Sequence, residues 1–165
     1  MTLNIRNATL EDLEDITYLE AESFSAAEAD TKEAFAERLQ LIADSFLVIE
    51  EAGELLGYVN GPVVEQAYIT DNLFQTVEAN PLEGGNQCIL GLSVSAKAKG
   101  RGLSLLLMEA FEQQAQQKHR ESVSLTCHEE LIHFYEKMGY INHGRSESTL
   151  GGAEWYNLVK PLALV

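Results

Sequence analysis

One stretch concentrates the chemistry-bearing residues of this 165-residue chain: Ser95-Ala96-Lys97-Ala98-Lys99-Gly100-Arg101-Gly102-Leu103-Ser104. It joins an apolar, strand-like run ending at Val94 to a helical pattern that begins at Leu103. A glycine turn entering a helix aims unpaired backbone N–H groups and the positive end of the helix dipole at one point, which suits a pyrophosphate. Gly100 and Gly102 let an anion approach with no Cβ in the way, and Lys97, Lys99 and Arg101 add positive charge. That charge stands out against 26 acidic and 11 basic residues, a net charge of -15. Spacing excludes two familiar phosphate loops. A dinucleotide fingerprint needs a third glycine where Leu105 stands, and a P-loop needs Gly-Lys-Ser/Thr. Taken alone, the stretch reads equally well as a helix start carrying solvated lysines.

The other reactive residue types are sparse. Four histidines and two cysteines, Cys88 and Cys127, show no metal-ligand spacing, so no metal is expected. Two cysteines are too few for a disulfide framework, and Met1-Thr2-Leu3-Asn4-Ile5-Arg6 lacks the apolar stretch of a signal peptide, so the expected compartment is the cytoplasm. The acidic balance repels phosphate backbones and anionic lipid, and no apolar run approaches a membrane span. Neither nucleic acid nor membrane is an expected partner. The same field attracts a cation such as an amine.

The elements that position these residues follow from periodicity. Hydrophobic residues make up 45% of the chain and no Pro, Gly or Ser tract divides it, so residues 1–165 read as one domain. Leu3 and Ile5 alternate as a strand, and Thr9-x-x-Asp12 opens a helix that carries Leu13, Ile16, Leu19 and Phe24 inward. Asp30-x-x-Glu33 opens a second helix, with Phe35, Leu39 and Ile42 behind it. A hairpin over 46–59 follows, and then an irregular excursion over 61–87, of the kind that often carries function. A strand over 88–94, the glycine turn, a helix through Leu107 and Phe111, a strand over 123–127, a helix over 129–138 and two short strands around Gly151-Gly152 complete the chain. Strand, helix, strand in this order implies a parallel pair within a mixed sheet covered by helices. The apolar tail segments Leu158-Val159 and Leu162-Ala163-Leu164-Val165 could pair two subunits or simply finish the sheet.

The glycine turn resembles the acyl-CoA motif Arg/Gln-x-x-Gly-x-Gly/Ala of the GNAT acetyltransferase superfamily, with Lys97 in place of the usual Arg or Gln. Three further segments agree in order: Ile5 through Leu13, the hairpin Glu50-Glu51-Ala52-Gly53-Glu54-Leu55-Leu56-Gly57-Tyr58, and Leu131-Ile132-His133-Phe134-Tyr135-Glu136-Lys137-Met138-Gly139-Tyr140. Within the superfamily, Glu22-Ser23-Phe24 and Thr126-Cys127-His128-Glu129-Glu130-Leu131 look most like arylalkylamine N-acetyltransferases. The resemblance implies an α/β fold: a mixed, mostly antiparallel twisted sheet, helices on both faces and a splayed central parallel pair.

The resemblance also implies roles. Acetyl-CoA would lie along Leu92, Ser93 and Val94 as an added strand, with Phe134 beside it and its pyrophosphate on the N–H groups of Lys99, Gly100, Arg101, Gly102, Leu103 and Ser104. Tyr135 takes the position of the general acid, and a backbone N–H near Leu92 or Ser93 that of the oxyanion donor. The paired histidines of arylalkylamine enzymes are absent, since those positions read Cys88 and Leu90. His128 is then the candidate base, with Glu22 and Glu129 as carboxylate alternatives. Glu22, Phe24, Tyr68 and Phe74 are the residues expected to hold a small amine acceptor. The expected activity is acetyl transfer from acetyl-CoA to a primary amine. The alternatives are acetylation of protein N-termini or lysines, and a binding module that holds acetyl-CoA without turnover.

Overall fold

The computed structural model describes residues 2–163. β1 (Leu3–Asn7) leads into a 3-10 turn at Leu10–Asp12, where the Thr9 N–H donates to Asp12 Oδ2 at 2.8 Å and starts α1 (Leu13–Ser23). Phe24, expected on the helix, is the extended residue that ends it. The next helix starts one residue later than Asp30-x-x-Glu33 implies. Thr31 Oγ1 accepts from the Ala34 N–H at 3.1 Å and caps α2 (Lys32–Leu41), which frees Asp30 to pair with Arg38.

β2 (Phe46–Glu51) and β3 (Glu54–Asn60) form the hairpin, and the excursion holds β4 (Val63–Val64) and a 3-10 turn at Asp71–Phe74. The run 88–94, read as one strand, is two: β5 (Asn86–Ile89) and β6 (Gly91–Val94), broken at Leu90. After α3 (Leu103–Gln117) come β7 (Ser122–Cys127) and a 3-10 turn at Glu129–Leu131. The helix expected over 129–138 shortens to α4 (Ile132–Glu136), followed by β8 (Ile141–Arg145) and β9 (Tyr156–Pro161). Among the described residues no helix is long and apolar enough to cross a membrane.

The break at Leu90 divides the strands into two sheets, an antiparallel β1-β2-β3-β6 and a mixed β4-β5-β7-β9-β8. β5 runs parallel to β7, from Asn86 opposite Ser122 to Ile89 opposite Leu125, while β6 crosses over to pair antiparallel with β3. β6 and β7 share no ladder, so the sheet opens into a V between them. Gly61 marks the hinge. A Cβ there would stand 1.9 Å from the Cys88 carbonyl oxygen, and the Cys88 N–H donates to the Pro62 carbonyl at 2.9 Å.

Strand alternation distributes the core over both faces. Leu47 and Ile49 of β2 pack with Leu103, Leu107 and Phe111 of α3, while Phe46 and Val48 pack with Ile16, Leu19, Phe35 and Leu39 of α1 and α2. In β3 the alternation slips. Ile49 lies opposite Gly57 but Glu50 opposite Leu55, so Leu56 is an extra residue, and this bulge turns Tyr58 to the α1/α2 face.

β9 lies between β7 and β8, and Leu158 and Val159 are buried there. The expectation that these two could pair subunits is therefore corrected, because both of their strand edges are already used. Of the other tail segment, the Leu162 N–H donates to the Glu121 carbonyl at 3.0 Å, and Leu164 and Val165 lie outside the described residues.

Replacing Gly61 by Ala is expected to lower stability by about 2–3 kcal/mol, because its methyl meets backbone rather than a side chain that can rotate away. At Gly91 an added Cβ finds its nearest atom at 3.4 Å, so Gly91→Ala should lie within about 1 kcal/mol of the native protein. Urea denaturation of both variants checks the contrast; equal losses would place the hinge elsewhere.

Candidate active site

β6 forms one wall of the V. The Ser95 N–H donates to the Leu56 carbonyl at 2.7 Å, and alternation along an antiparallel ladder then turns the backbones of Ser93 and Gly91 to β3 and those of Leu92 and Val94 to the unpaired edge. Of the two expected oxyanion donors, Leu92 is thus the one whose N–H faces the opening. A groove of about 450 Å³ runs along this edge, lined by Leu92, Ser93, Val94, Lys99, Gly100, Gly102, Leu103, Ser104 and Phe134.

One end of the groove is the start of α3. Gly100 and Gly102 have φ of +83° and +75°, and Gly102 is the capping residue of the helix. The Leu106 N–H donates to the Gly102 carbonyl at 3.2 Å, so the N–H groups of Leu103, Ser104 and Leu105 have no partner within the helix. The basic side chains contribute less than their number implies. Lys97 pairs with Glu54, and Arg101 reaches the Glu51 carboxylate at 2.9 and 3.3 Å. Arg101, expected on the cofactor, does not line the groove, because the carboxylates of the β2–β3 hairpin draw its guanidinium away.

Phe24, Leu92, Leu131 and Tyr135 line both this groove and a second, more enclosed cavity of about 150 Å³. Leu125, Cys127, Phe74, Leu150 and Trp155 form its apolar walls, and Glu20, Glu28, Asp30 and His128 its polar ones. Tyr135 stands at the junction, its ring edge-on to Phe134 at 5.0 Å and to Tyr140 at 5.9 Å. Burial, assisted by Cys127, pushes its phenol up to about 12, so it holds a proton at neutral pH and can donate it. Burial likewise pushes Cys127 up to about 11, which keeps that sulfur a thiol and a poor nucleophile.

Glu20 sits four residues after Ile16 on the inward stripe of α1 and is 3% exposed. The Tyr58 hydroxyl, brought to this face by the β3 bulge, donates to it, and the Asp30 N–H donates at 2.7 Å. Burial outweighs these bonds and pushes its carboxyl up to about 7. His128 follows β7 and stacks on Trp155 with ring centroids 4.1 Å apart. Its Nε2 is 3.3 Å from Glu28 Oε1 and its Nδ1 3.3 Å from the Glu154 carbonyl, so each ring nitrogen faces an acceptor.

The structure thus brings Tyr135, His128, Phe24 and Phe74 to one cavity and leaves three expected residues out of it. Glu22 accepts from the Ala96 N–H at 2.8 Å on the far side of α1, one helical step from the inward stripe. Tyr68 is exposed and bonds His143 Nδ1 at 2.8 Å, held by the outer strand β8. Glu129 is exposed on its 3-10 turn. Sequence reasoning missed Glu20, Glu28, Asp30 and Trp155. For Glu20 the signal existed, a carboxylate four residues from Ile16 in an otherwise apolar stripe. For the others no local pattern marks the fold-over of segments 24–31 and 146–155 that delivers them.

A helix start thus feeds a groove along an open strand edge, and Tyr135 stands where that groove meets a second, partly acidic cavity. The chain belongs to the GNAT acetyltransferase family, whose model matches residues 9–140. It is an acetyltransferase of the N-acetyltransferase type. Comparison by sequence with curated proteins returns no match. Among solved structures, Ard1 from Thermoplasma volcanium is similar at 20% identity and a TM-score of 0.75, covering 99% of both chains. The ribosomal-protein-S18-alanine N-acetyltransferase from Escherichia coli is similar at 13% identity and a TM-score of 0.72, covering 99% of this chain and 96% of that one. A GNAT-like decarboxylase, GphF, in complex with isobutyryl-CoA, is similar at 16% identity and a TM-score of 0.81, covering 97% and 100%. At these identities the likeness is one of fold.

Because the Glu20 carboxyl rises from 4.5 to about 7 on folding, the native state holds its proton more tightly than the unfolded chain does. Its contribution is fully favourable below pH 4.5 and is lost as pH rises through about 7. Glutamine imitates the protonated acid. Glu20→Gln should therefore gain about 3 kcal/mol on the native protein between pH 4.5 and pH 8. Denaturation of both proteins at the two pH values checks this, and a constant difference would mean that Glu20 does not titrate in that window.

Proposed function

We propose that the protein transfers an acetyl group directly from acetyl-CoA to a small primary amine, with Tyr135 as general acid and Glu20 taking the proton of the amine. The observation that carries this reading is that both residues border the enclosed cavity next to the groove, one holding a proton at neutral pH and the other poised to accept one. When bound, acetyl-CoA supplies an activated thioester. The open backbone edge at Leu92 and Val94 would take the pantetheine arm, and the free N–H groups of Leu103, Ser104 and Leu105 the pyrophosphate.

An amine enters mostly as its cation, attracted by the net charge of -15 and by the carboxylates of the cavity. Glu20 removes a proton, directly or through one water, and the free amine attacks the thioester carbon. The Leu92 N–H faces the oxygen that gains charge. As the carbon–sulfur bond breaks, Tyr135 gives its proton to the leaving sulfur, and its phenolate takes the remaining proton from the nitrogen of the new amide. The neutral thiol of Cys127 favours this direct route over a covalent acetyl-enzyme.

The acceptor is read as small because the cavity, narrowed by segments 24–31 and 146–155, offers about 150 Å³, where a peptide acceptor needs a long open groove. Phe24, Phe74 and Trp155 on its walls favour an apolar or aromatic body, which keeps an arylalkylamine among the leading acceptors. A proton acceptor and a proton donor on the walls of one cavity also favour turnover over a module that only binds acetyl-CoA.

The test is thiol release from acetyl-CoA with a panel of arylalkylamines, aliphatic amines and tetrapeptides. Small amines should be turned over, and Tyr135→Phe should lower kcat by about a hundredfold or more with the Kd of acetyl-CoA unchanged. Turnover confined to peptides would reassign the acceptor. Binding of acetyl-CoA with no release on any amine would overturn the enzymatic reading.

A further inference from the structure

Arg38 is the largest fully buried side chain of the fold, 1% exposed, yet nothing in the reaction uses it. Its Nη1 donates to Asp30 Oδ2 at 2.9 Å and to Asn60 Oδ1 at 3.2 Å, and its Nη2 donates to the Phe74 carbonyl at 3.0 Å. The guanidinium also lies 5.2 Å from the centroid of the Phe35 ring. These partners come from the lead-in to α2, the end of β3 where the sheet divides, and the excursion. Two of them, Asp30 and Phe74, line the acceptor cavity. The Asp30 N–H in turn donates to Glu20.

We propose that Arg38 is a positioning residue for the reaction: its planar fork holds Asp30, Asn60 and Phe74 in one frame, which fixes the acceptor wall and the electrostatic surroundings of Glu20. The proposal rests on the reading of Glu20 as base. A lone buried arginine beside one buried aspartate is a neutral unit, and breaking it leaves an uncompensated charge in the core. Geometry makes the fork specific. One charge, one side-chain amide and one carbonyl are met at the same time by a planar group with several donors, which a lysine ammonium cannot reproduce.

The groups that face Glu20 are Tyr58 from β3, Asp30 and Arg38 from α2 and its lead-in, and, around the same cavity, Glu28, Cys127, His128 and Tyr135. Of the near charges, Asp30 disfavours ionisation of Glu20 and Arg38 favours it. Removing one charge of the pair while keeping the other must therefore move Glu20 in a known direction.

Two variants separate the charge from the fork. Asp30→Asn leaves the bonds of the guanidinium to Asn60 and Phe74 in place and removes one negative charge, so the titration midpoint of Glu20, followed by carboxyl carbon-13 NMR, should fall by about one pH unit. The low-pH limb of kcat/KM should fall with it. Arg38→Lys keeps the charge and loses the fork, so the midpoint should stay within about half a unit while the KM of the amine rises about tenfold and that of acetyl-CoA does not change. An unmoved midpoint in Asp30→Asn, or a native amine KM in Arg38→Lys, would overturn the proposal. The NMR titration needs no turnover. It decides the role of the pair if Arg38→Lys fails to fold, and also if no amine is acetylated, an outcome that would count against the proposed activity and not against the frame around Glu20.

Discussion

The arrangement of this molecule depends on the exchange of ladder partners at Leu90. Up to Ile89 the chain is tied in parallel to β7, and from Gly91 onward it is tied antiparallel to β3. A strand cannot satisfy both neighbours while they diverge, so one edge of β6 is left without backbone partners. Unpaired N–H and C=O groups are costly when buried and useful when a ligand supplies the missing partners. The groove exists because of that edge, and α3, which leaves the end of β6 through Gly100 and Gly102, opens its unsatisfied N–H groups onto the same groove.

Charge is handled differently in the two compartments. Beside the groove Lys97 and Arg101 are engaged with carboxylates of the neighbouring hairpin, which leaves Lys99 and main-chain groups to line it. Those exposed pairs contribute little to stability and can exchange partners at small cost. In the cavity, charges are withdrawn from water and each has a dedicated partner: Asp30 with Arg38, Glu28 with His128, Glu20 with the Tyr58 hydroxyl. Burial raises the carboxyls of both Asp30 and Glu20, and Glu20, whose direct hydrogen-bond partners are uncharged, is lifted to about 7. A base for neutral pH is thus made chiefly by burying a carboxylate among uncharged donors.

Much of this was legible in the chain. The order of elements and the glycine turn follow from local patterns that the fold preserves, whereas the position of Tyr135 beside the opening and the splaying of the central strands came from the family resemblance. What could not be read has physical causes. The strand break falls in an unbroken apolar run, 88–94, because the change of partner is imposed by Gly61 packing on Cys88 from another part of the chain. The face of Tyr58 is reversed by a bulge whose extra residue, Leu56, looks like any other strand leucine. Glu22 enters the expected site through the resemblance carried by Glu22-Ser23-Phe24, whereas it is Glu20 that stands four residues from Ile16 on the buried stripe of the helix. His128 was legible as a residue of the opening, but its two acceptors and its stacking on Trp155 depend on a long-range fold-over.

The two compartments are also built from different kinds of chain. The groove is made of a strand edge and a helix start, parts whose displacement would disturb the core packed beneath α3. The distinctive walls of the cavity come largely from connections: segment 24–31, the 61–87 excursion and segment 146–155. Connections tolerate insertion and exchange far better than core elements do. Sequence drift in such a protein can therefore redraw the acceptor side while the donor side stays put. Two chains that share the glycine turn and the split sheet need share no acceptor, and lineages of this fold are expected to diverge first in their loops.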